Sequence, residues 1–137
     1  LWMAEAGGVN DPIYHEGRIF ASGDGVLTAL DPESGSIFWQ QNLETPGISS
    51  PAGGEGFVVV TTTMDKFYMI DSENGDILYD RFIRKGSFGD PVMDSGHLYI
   101  LSNSGALYGF RIKELPQKKI REPKGKKGKP ASSSGEN

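Results

Sequence analysis

A forty-residue repeat constrains the fold of this chain more than any other feature of its sequence. The segment 29–39 returns as 69–79, and in both copies an Asp is followed four residues later by a Gly. The equivalent positions are Ala29, Asp31, Gly35 and Trp39 in the first copy and Met69, Asp71, Gly75 and Tyr79 in the second. A repeat of this length indicates stacked supersecondary units, none of which can bury its apolar face alone.

Each copy contains the same order of residue types, and this order predicts short strands. A Pro comes first, then a turn Gly, a run of β-branched and aromatic residues, a polar turn and another apolar run. An Asp-x-x-x-Gly turn follows and leads into a fourth run. β-branched and aromatic residues favour pleated, buried strands, and the nineteen glycines and eight prolines favour many turns. No segment keeps a helical apolar period, so no long helix is predicted.

Four short antiparallel strands for every forty residues form the blade of a β-propeller. The predicted fold is therefore all-β, with about three blades, each a four-stranded antiparallel sheet, of an incomplete propeller. We expect the blades near residues 11–46, 50–86 and 90–112, within a repeat domain that spans 1–112. Because propellers generally need about 4–8 blades, the segment is expected to be the C-terminal portion of a longer protein, with the remaining blades as its partners.

The Asp and Gly of each copy are predicted to shape a tight turn. An Asp carboxylate can accept hydrogen bonds from backbone N–H groups two or three residues further on, and Gly reaches positive φ without strain. The alternative is a catalytic or calcium-binding role for Asp31 and Asp71. The segment 71–76 has some likeness to a calcium loop, but Gly75 occupies a ligand position and the downstream Glu is missing, so turn capping is favoured.

The spacing Ala-x-Asp-x-x-x-Gly-x-x-x-Trp, filled by Ala29, Asp31, Gly35 and Trp39, resembles the tryptophan-docking motif of pyrroloquinoline-quinone-like (PQQ-like) propeller repeats. This family includes quinoprotein alcohol dehydrogenases and the BamB-type scaffold of outer-membrane assembly. The resemblance covers roughly residues 1–112 and implies that the last aromatic packs against the turn of the neighbouring blade. Trp39 would then anchor two blades, and Tyr79 would be its counterpart in a copy where Met69 replaces the Ala. A ligand-lining role for the two aromatics is the less favoured alternative.

The third copy departs from the repeat after Phe110. Arg111 and Leu115 stand where the Asp and Gly are expected, Pro116 follows, and no fourth strand is predicted. Closed propellers often borrow the outer strand of their last blade from the start of the chain, so such a blade is expected at the C terminus of a ring. At the other end, residues 1–3 lie about where the last strand of a preceding blade would finish.

The charge of the chain is divided between two segments. Residues 1–112 hold six Lys/Arg and fifteen Asp/Glu, whereas residues 113–137 hold eight Lys/Arg and three Asp/Glu. The second segment is rich in Lys, Pro, Gly and Ser and is predicted to be a disordered basic tail. Aromatic residues for base stacking are missing from this segment, so a solvated tail is the favoured interpretation. Weak binding to polyanions is the competing interpretation.

Several kinds of chemistry are not supported by the sequence. The chain contains no cysteine, so a disulfide framework and a thiolate metal site are excluded. His15 and His97 are its two histidines, and neither has metal-ligand spacing. No apolar run of about 18 residues is present to span a membrane as a helix. We therefore predict no catalytic, cofactor-binding or metal-binding residue in this segment; PQQ and calcium would be expected only if the full-length protein is a quinoprotein enzyme.

The resemblance implies a function more directly than the residues do. The favoured hypothesis is a non-catalytic propeller segment that acts as a protein–protein interaction scaffold, similar to the BamB outer-membrane protein assembly factor. Two alternatives stay open: the C-terminal part of a PQQ-dependent quinoprotein dehydrogenase, and a ligand-sensing propeller within a larger receptor or kinase. The resemblance also implies protein partners and a periplasmic or cell-envelope location in a bacterium.

Overall fold

The computed structural model describes residues 1–8 and 10–113, and this part of the chain consists of strands and turns without a helix. It contains eleven β-strands. They are β1 (Ile13–His15), β2 (Arg18–Gly23), β3 (Val26–Leu30), β4 (Ile37–Asn42), β5 (Ala52–Gly54), β6 (Phe57–Thr61), β7 (Lys66–Asp71), β8 (Ile77–Phe82), β9 (Val92–Asp94), β10 (His97–Leu101) and β11 (Leu107–Arg111).

The strands form three antiparallel sheets, each following the order of the chain. The first sheet has the order β1-β2-β3-β4 and the second β5-β6-β7-β8. The third contains β9, β10 and β11 within the described residues. Sequential short strands that repeat in this way are propeller blades, so the prediction of an all-β fold built from about three blades is confirmed.

Two apolar layers hold the sheets face to face. The layer between the first and second sheets contains Phe20, Leu27, Ala29, Leu43, Ile48, Val58, Val60 and Ile70. The layer between the second and third contains Phe57, Val59, Phe67, Met69, Ile83, Leu98 and Ile100. Because the second sheet is covered on both faces, every residue of β6 is buried, which explains why that strand is a continuous run of Phe, Val and Thr instead of an alternating pattern.

A β-bulge recurs at the same place in both four-stranded sheets. In the first, Ala29 pairs with Trp39 and the next pair skips one residue of β4, so Phe38 has no partner in the ladder. In the second, Met69 pairs with Tyr79 and the next pair skips Leu78 in the same way. A bulge bends the strand and changes the direction of its side chains. In both blades it lies beside the aromatic residue of the repeat.

Some predictions fall outside the described residues. The disordered basic tail was predicted for 113–137, of which only Lys113 is described, and the prediction for Leu115 and Pro116 falls in the same undescribed segment. Among the described residues, no helix is long and apolar enough to cross a membrane.

Candidate functional site

Trp39 extends from the first sheet to the turn that follows β7 in the second. Its partner across the ladder, Ala29, is fully buried and small, so the bulky ring can lie over the blade. The indole Nε1–H donates a hydrogen bond of 3.2 Å to the carbonyl oxygen of Ser72. The ring also covers Gly75 closely, since a Cβ atom on that residue would lie 2.6 Å from two ring carbons. One side chain thus joins two blades by apolar packing and by a hydrogen bond.

The Asp and Gly of the repeat shape the turn that receives this ring. A side-chain oxygen of Asp71 accepts hydrogen bonds from the backbone N–H of Glu73 at 2.8 Å and of Asn74 at 3.3 Å. The N–H of Gly75 donates to the backbone oxygen of Asp71 at 2.9 Å, and its φ of 83° is one that glycine adopts without strain. The carbonyl of Gly75 also accepts a 2.7 Å hydrogen bond from the amide of Gln41, so β4 contributes a second link to the turn.

The equivalent turn of the first sheet receives Trp2. There Asp31 accepts a 2.8 Å hydrogen bond from the N–H of Glu33, and Gly35 has a φ of 77°. The indole of Trp2 donates to the carbonyl of Pro32 at 2.9 Å, and its ring lies against Gly35 so closely that a Cβ atom there would overlap it. Trp2 therefore makes the same two contacts with the first turn as Trp39 makes with the second.

The repeat pattern did not identify Trp2 as a docking residue because its spacing differs. Trp2 is 30 residues from its acceptor, Pro32, whereas Trp39 is 33 residues from its acceptor, Ser72. A Trp that is joined to its turn by a shorter connection does not fall on a fixed forty-residue period. The remaining signal was a Trp followed by a Gly-containing segment that leads into Asp-Pro.

A second group of contacts joins the first two blades near the β1–β2 hairpin. The carboxylate of Glu16 accepts hydrogen bonds from the backbone N–H of Gly56, at 2.9 and 3.2 Å, and from the hydroxyl of Ser72 at 3.1 Å. His15 Nε2 lies 2.5 Å from the carbonyl oxygen of Gly54. Ser72 therefore serves the blade contact twice, through its carbonyl to the indole of Trp39 and through its hydroxyl to Glu16.

The second and third blades are joined by the loops that precede their first strands. Asp90 accepts a 2.9 Å hydrogen bond from the N–H of Ser50, and the hydroxyl of the fully buried Thr61 donates to the carbonyl of Gly89 at 3.1 Å. Ser50 in turn accepts from the N–H of Asp11 at 3.0 Å. These contacts form a polar line through all three blades.

Tyr79 differs from Trp39, although the two hold equivalent positions in their repeats. Its side chain is 39% exposed, and its ring lies 6.1 Å from that of Phe67. The third blade has Arg111 where the docking turn would begin with an Asp. An open groove of about 210 Å³ lies between the second and third sheets, beside Tyr79. It is lined by Tyr79 and Phe110 and by three cationic side chains, those of Arg81, Arg111 and Lys113.

The described residues contain no group of three or more His, Cys, Asp or Glu side chains placed to hold a metal ion. The two histidines face backbone oxygens: His15 faces the carbonyl of Gly54, and His97 Nδ1 lies 3.2 Å from that of Ser95. Within the described part of the chain, the geometry offers sheets joined by apolar packing and hydrogen bonds, and an open groove lined by cationic residues between the second and third sheets.

Propeller blades whose Trp docks on the Asp/Gly turn of the next blade define a protein of the PQQ-like repeat class. The family described as "Outer membrane protein assembly factor BamB" matches residues 23–118, and the chain belongs to this family. BamB from Yersinia pestis is 28% identical over 113 residues, which cover 80% of this chain and 29% of the relative. The chain therefore spans less than a third of that curated relative.

Solved structures share the fold at lower identity. BamB from Moraxella catarrhalis has a TM-score of 0.67 and 18% identity, covering 74% of this chain and 31% of the other. A quinohemoprotein alcohol dehydrogenase from Pseudomonas putida has a TM-score of 0.63 and 20% identity, covering 72% of this chain and 18% of the other. At these identities the likeness shows the fold alone.

Proposed function

We propose that this chain is a non-catalytic propeller segment that acts as a protein–protein interaction scaffold for outer-membrane protein assembly, in the periplasm or at the cell envelope. The observation that carries the proposal is the match of residues 23–118 to the BamB assembly-factor family. Firmly joined blades suit this role, because a rigid framework can present loops and strand edges to a partner without a large ordering cost.

The outward face of the third sheet is exposed and apolar, as expected of a surface that contacts another protein segment. Leu98 and Ile100 of β10 point inward and are buried, whereas Tyr99 and Leu101 alternate with them and are exposed. The adjacent strands add Val92 and Leu107 to the exposed side. A contiguous apolar sheet face of this kind is usually buried against another protein segment, because its exposure to water is unfavourable. We propose that it packs against another blade of the full-length protein.

Gene deletion in the bacterium that carries this protein tests the assembly role. Under the proposal, deletion lowers the amount of folded outer-membrane proteins, and a plasmid copy of the wild-type gene restores it. A copy carrying Trp39→Ala, which loosens a blade contact, should restore it incompletely. A copy carrying Tyr14→Ala, at a side chain that is 69% exposed, is the matched control and should restore it fully. Unchanged outer-membrane protein levels after deletion would reject the assembly role.

A second candidate function is the C-terminal part of a PQQ-dependent dehydrogenase. The backbone likeness to the Pseudomonas putida quinohemoprotein enzyme is the observation that favours it. Its test is dye-linked alcohol oxidation by the full-length protein with added PQQ and calcium. Dye reduction that requires PQQ supports this candidate, and its absence under conditions where a known quinoprotein is active supports the scaffold.

A further inference from the structure

The turn that receives Trp39 contains the dipeptide Asn74–Gly75, and an Asn-Gly pair occurs nowhere else in the chain. An asparagine before a glycine is prone to spontaneous loss of its side-chain amide, because the backbone nitrogen of a glycine is not shielded by a side chain. Asn74 is exposed to solvent, whereas Gly75 is buried beneath the indole ring. One residue of the pair is therefore open to water, and the other is covered by the first blade.

The turn itself activates the side-chain amide of Asn74. Its Oδ1 accepts a hydrogen bond of 2.9 Å from the N–H of Asp76. A donor at this oxygen draws electron density away from Cγ, and it stabilises the negative charge that the oxygen acquires when a nucleophile adds to that carbon. The amide carbon is thus made more electrophilic by the local structure.

The backbone nitrogen of Gly75, which would be the nucleophile, is restrained. Its N–H donates to the backbone oxygen of Asp71 at 2.9 Å, and the carbonyl of Gly75 accepts from the amide of Gln41 at 2.7 Å. Attack on Cγ of Asn74 requires the nitrogen to lose its proton and to turn towards that side chain, so the first hydrogen bond must break. The second hydrogen bond and the close contact with the ring of Trp39 oppose this movement.

Three side chains of the first blade hold the turn by its carbonyl groups. The donors are Trp39, Arg18 and Gln41, and the respective acceptors are the carbonyl oxygens of Ser72, Glu73 and Gly75, at 3.2, 3.3 and 2.7 Å. These acceptors lie on both sides of Asn74 in the sequence. The freedom of the dipeptide to rearrange is therefore controlled by the contact between the first and second blades.

The equivalent turn of the first sheet makes the same local contact without an asparagine. Ser34 lies forty residues before Asn74, and its hydroxyl accepts a 3.2 Å hydrogen bond from the N–H of Ser36, as Asn74 accepts from Asp76. A serine therefore satisfies the turn and has no amide to lose. This makes Asn74→Ser a matched variant that keeps the shape of the turn.

We propose that Asn74–Gly75 is a deamidation site that is closed while Trp39 is docked and becomes reactive when the first and second blades separate. The nitrogen of Gly75 gives its proton to solvent and bonds to Cγ of Asn74. The amide nitrogen takes up a proton and leaves as ammonia, which gives a cyclic succinimide. Water then opens the ring at either carbonyl group, so position 74 becomes aspartate or isoaspartate. No electrons are transferred, and the net reaction exchanges ammonia for water.

Deamidation at this position keeps the blades from docking again. Isoaspartate routes the backbone through the former side chain and lengthens it by a methylene group, so the contacts at the two ends of the turn no longer fit together. Aspartate keeps the backbone length but adds a negative charge to a turn that already contains Asp71, Glu73 and Asp76. A transient opening is thereby made permanent. This inference goes beyond the proposed function, because it holds for any role that needs joined blades.

The test follows the modified fraction with time in the 137-residue chain, kept in mildly alkaline buffer. Digestion and mass spectrometry of the fragment that contains residue 74 measure this fraction, and a synthetic peptide of residues 70–80 is the undocked reference. The docked chain should react at least about tenfold more slowly than the peptide, because a local opening free energy of about 1.4 kcal/mol already gives this ratio. Asn74→Ser should abolish the mass change and leave thermal unfolding unaltered.

Two neighbouring glutamines of β4 provide a matched pair of variants. Gln41 bonds to the turn of the second blade, whereas Gln40 donates to the hydroxyl of Thr28 in its own blade at 3.1 Å. Gln41→Ala should raise the deamidation rate about two- to tenfold, the effect of one lost hydrogen bond. Gln40→Ala should leave the rate unchanged. Trp39→Ala, which removes both the ring and its hydrogen bond, should raise the rate at least about tenfold.

A variant in the other apolar layer separates local opening from global unfolding. Ile100→Ala removes a buried side chain from the layer between the second and third sheets, so it lowers the free energy of unfolding without loosening the turn. It should leave the deamidation rate unchanged while circular dichroism shows a folded chain. Modified molecules carry additional negative charge and can be isolated by anion exchange. They should unfold at a lower temperature than unmodified ones.

Several results would overturn the inference. These are equal rates for the docked chain and the synthetic peptide, an unreactive peptide, equal effects of the Gln41 and Gln40 substitutions, and equal acceleration by Ile100→Ala and Trp39→Ala. A modified fraction that unfolds at the same temperature as the unmodified protein would also contradict it, since the blades would then dock in spite of the altered turn.

Discussion

The indole ring of Trp39 and the α-carbon of Gly75 lie so close together that no side chain fits between them. A Cβ atom on Gly75 would be 2.6 Å from the ring, a distance that real Cβ contacts do not reach. Gly75 therefore meets two separate requirements. The turn needs a positive φ, here 83°, and the contact with the ring of Trp39 leaves no room for a side chain. The two requirements can be separated by experiment.

Gly75→Ala should destabilise the protein more than Gly17→Ala does. Both glycines have positive φ, 83° and 80°, so alanine meets the same backbone strain of about 1–2 kcal/mol at either site. At Gly17 a Cβ atom has nothing within 4 Å, whereas at Gly75 it collides with Trp39. Overpacking should add about 1–3 kcal/mol to the loss in the free energy of unfolding. Urea titration of the two variants measures the difference, and equal losses would show that the ring does not press on Gly75.

Trp39→Ala should cost about 3–5 kcal/mol of unfolding free energy, because it removes a large aromatic from the first apolar layer. Trp39→Phe keeps a ring but loses the hydrogen bond to Ser72, so its cost should be smaller. The two sites should also be coupled. In a Trp39→Ala background, the overpacking part of the Gly75→Ala penalty should disappear, which a double-mutant cycle detects. Additive effects of the two substitutions would argue against the direct contact.

The repeat predicted the strands well because strand composition and turn residues recur locally in each copy. Asp71 and Gly75 make the turn contacts expected of their residue types, and these contacts span only a few positions. Trp2 was missed because docking depends on distance in space, and its connection to the turn is shorter than that of Trp39. The basic groove could not be predicted from the sequence either. Its cations come from β8, from the last residue of β11 and from Lys113 beyond it, and only the folding of two blades brings them together.

The contacts of Glu16 could not be foreseen either, because its acceptor role depends on where the next blade places Gly56 and Ser72. Glu16→Ala should lower the free energy of unfolding by about 1 kcal/mol, since hydrogen bonds at an exposed site contribute modestly. Glu16 has a φ of 52°, which alanine retains, whereas Glu16→Gly relieves the strain. We therefore expect Glu16→Gly to be the milder change. Thermal unfolding can rank the two variants, with Asp24→Ala, at a φ of 53° in the β2–β3 hairpin, as a control for strain.

Thr45 and Thr61 are expected to respond differently to substitution by valine. The hydroxyl of Thr45 is shielded from solvent and has no hydrogen-bond partner among the described residues, so Thr45→Val removes an unsatisfied polar group. This variant should be neutral or up to about 1 kcal/mol more stable. The hydroxyl of Thr61 donates to the carbonyl of Gly89 at 3.1 Å, and Ser87 Oγ lies 3.2 Å from the same carbonyl oxygen. Thr61→Val removes the first of these hydrogen bonds and should cost about 1 kcal/mol. Chemical denaturation of both valine variants gives the comparison. If Thr45→Val destabilised the protein as much as Thr61→Val does, the hydroxyl of Thr45 would have to be bound, for example by an internal water molecule.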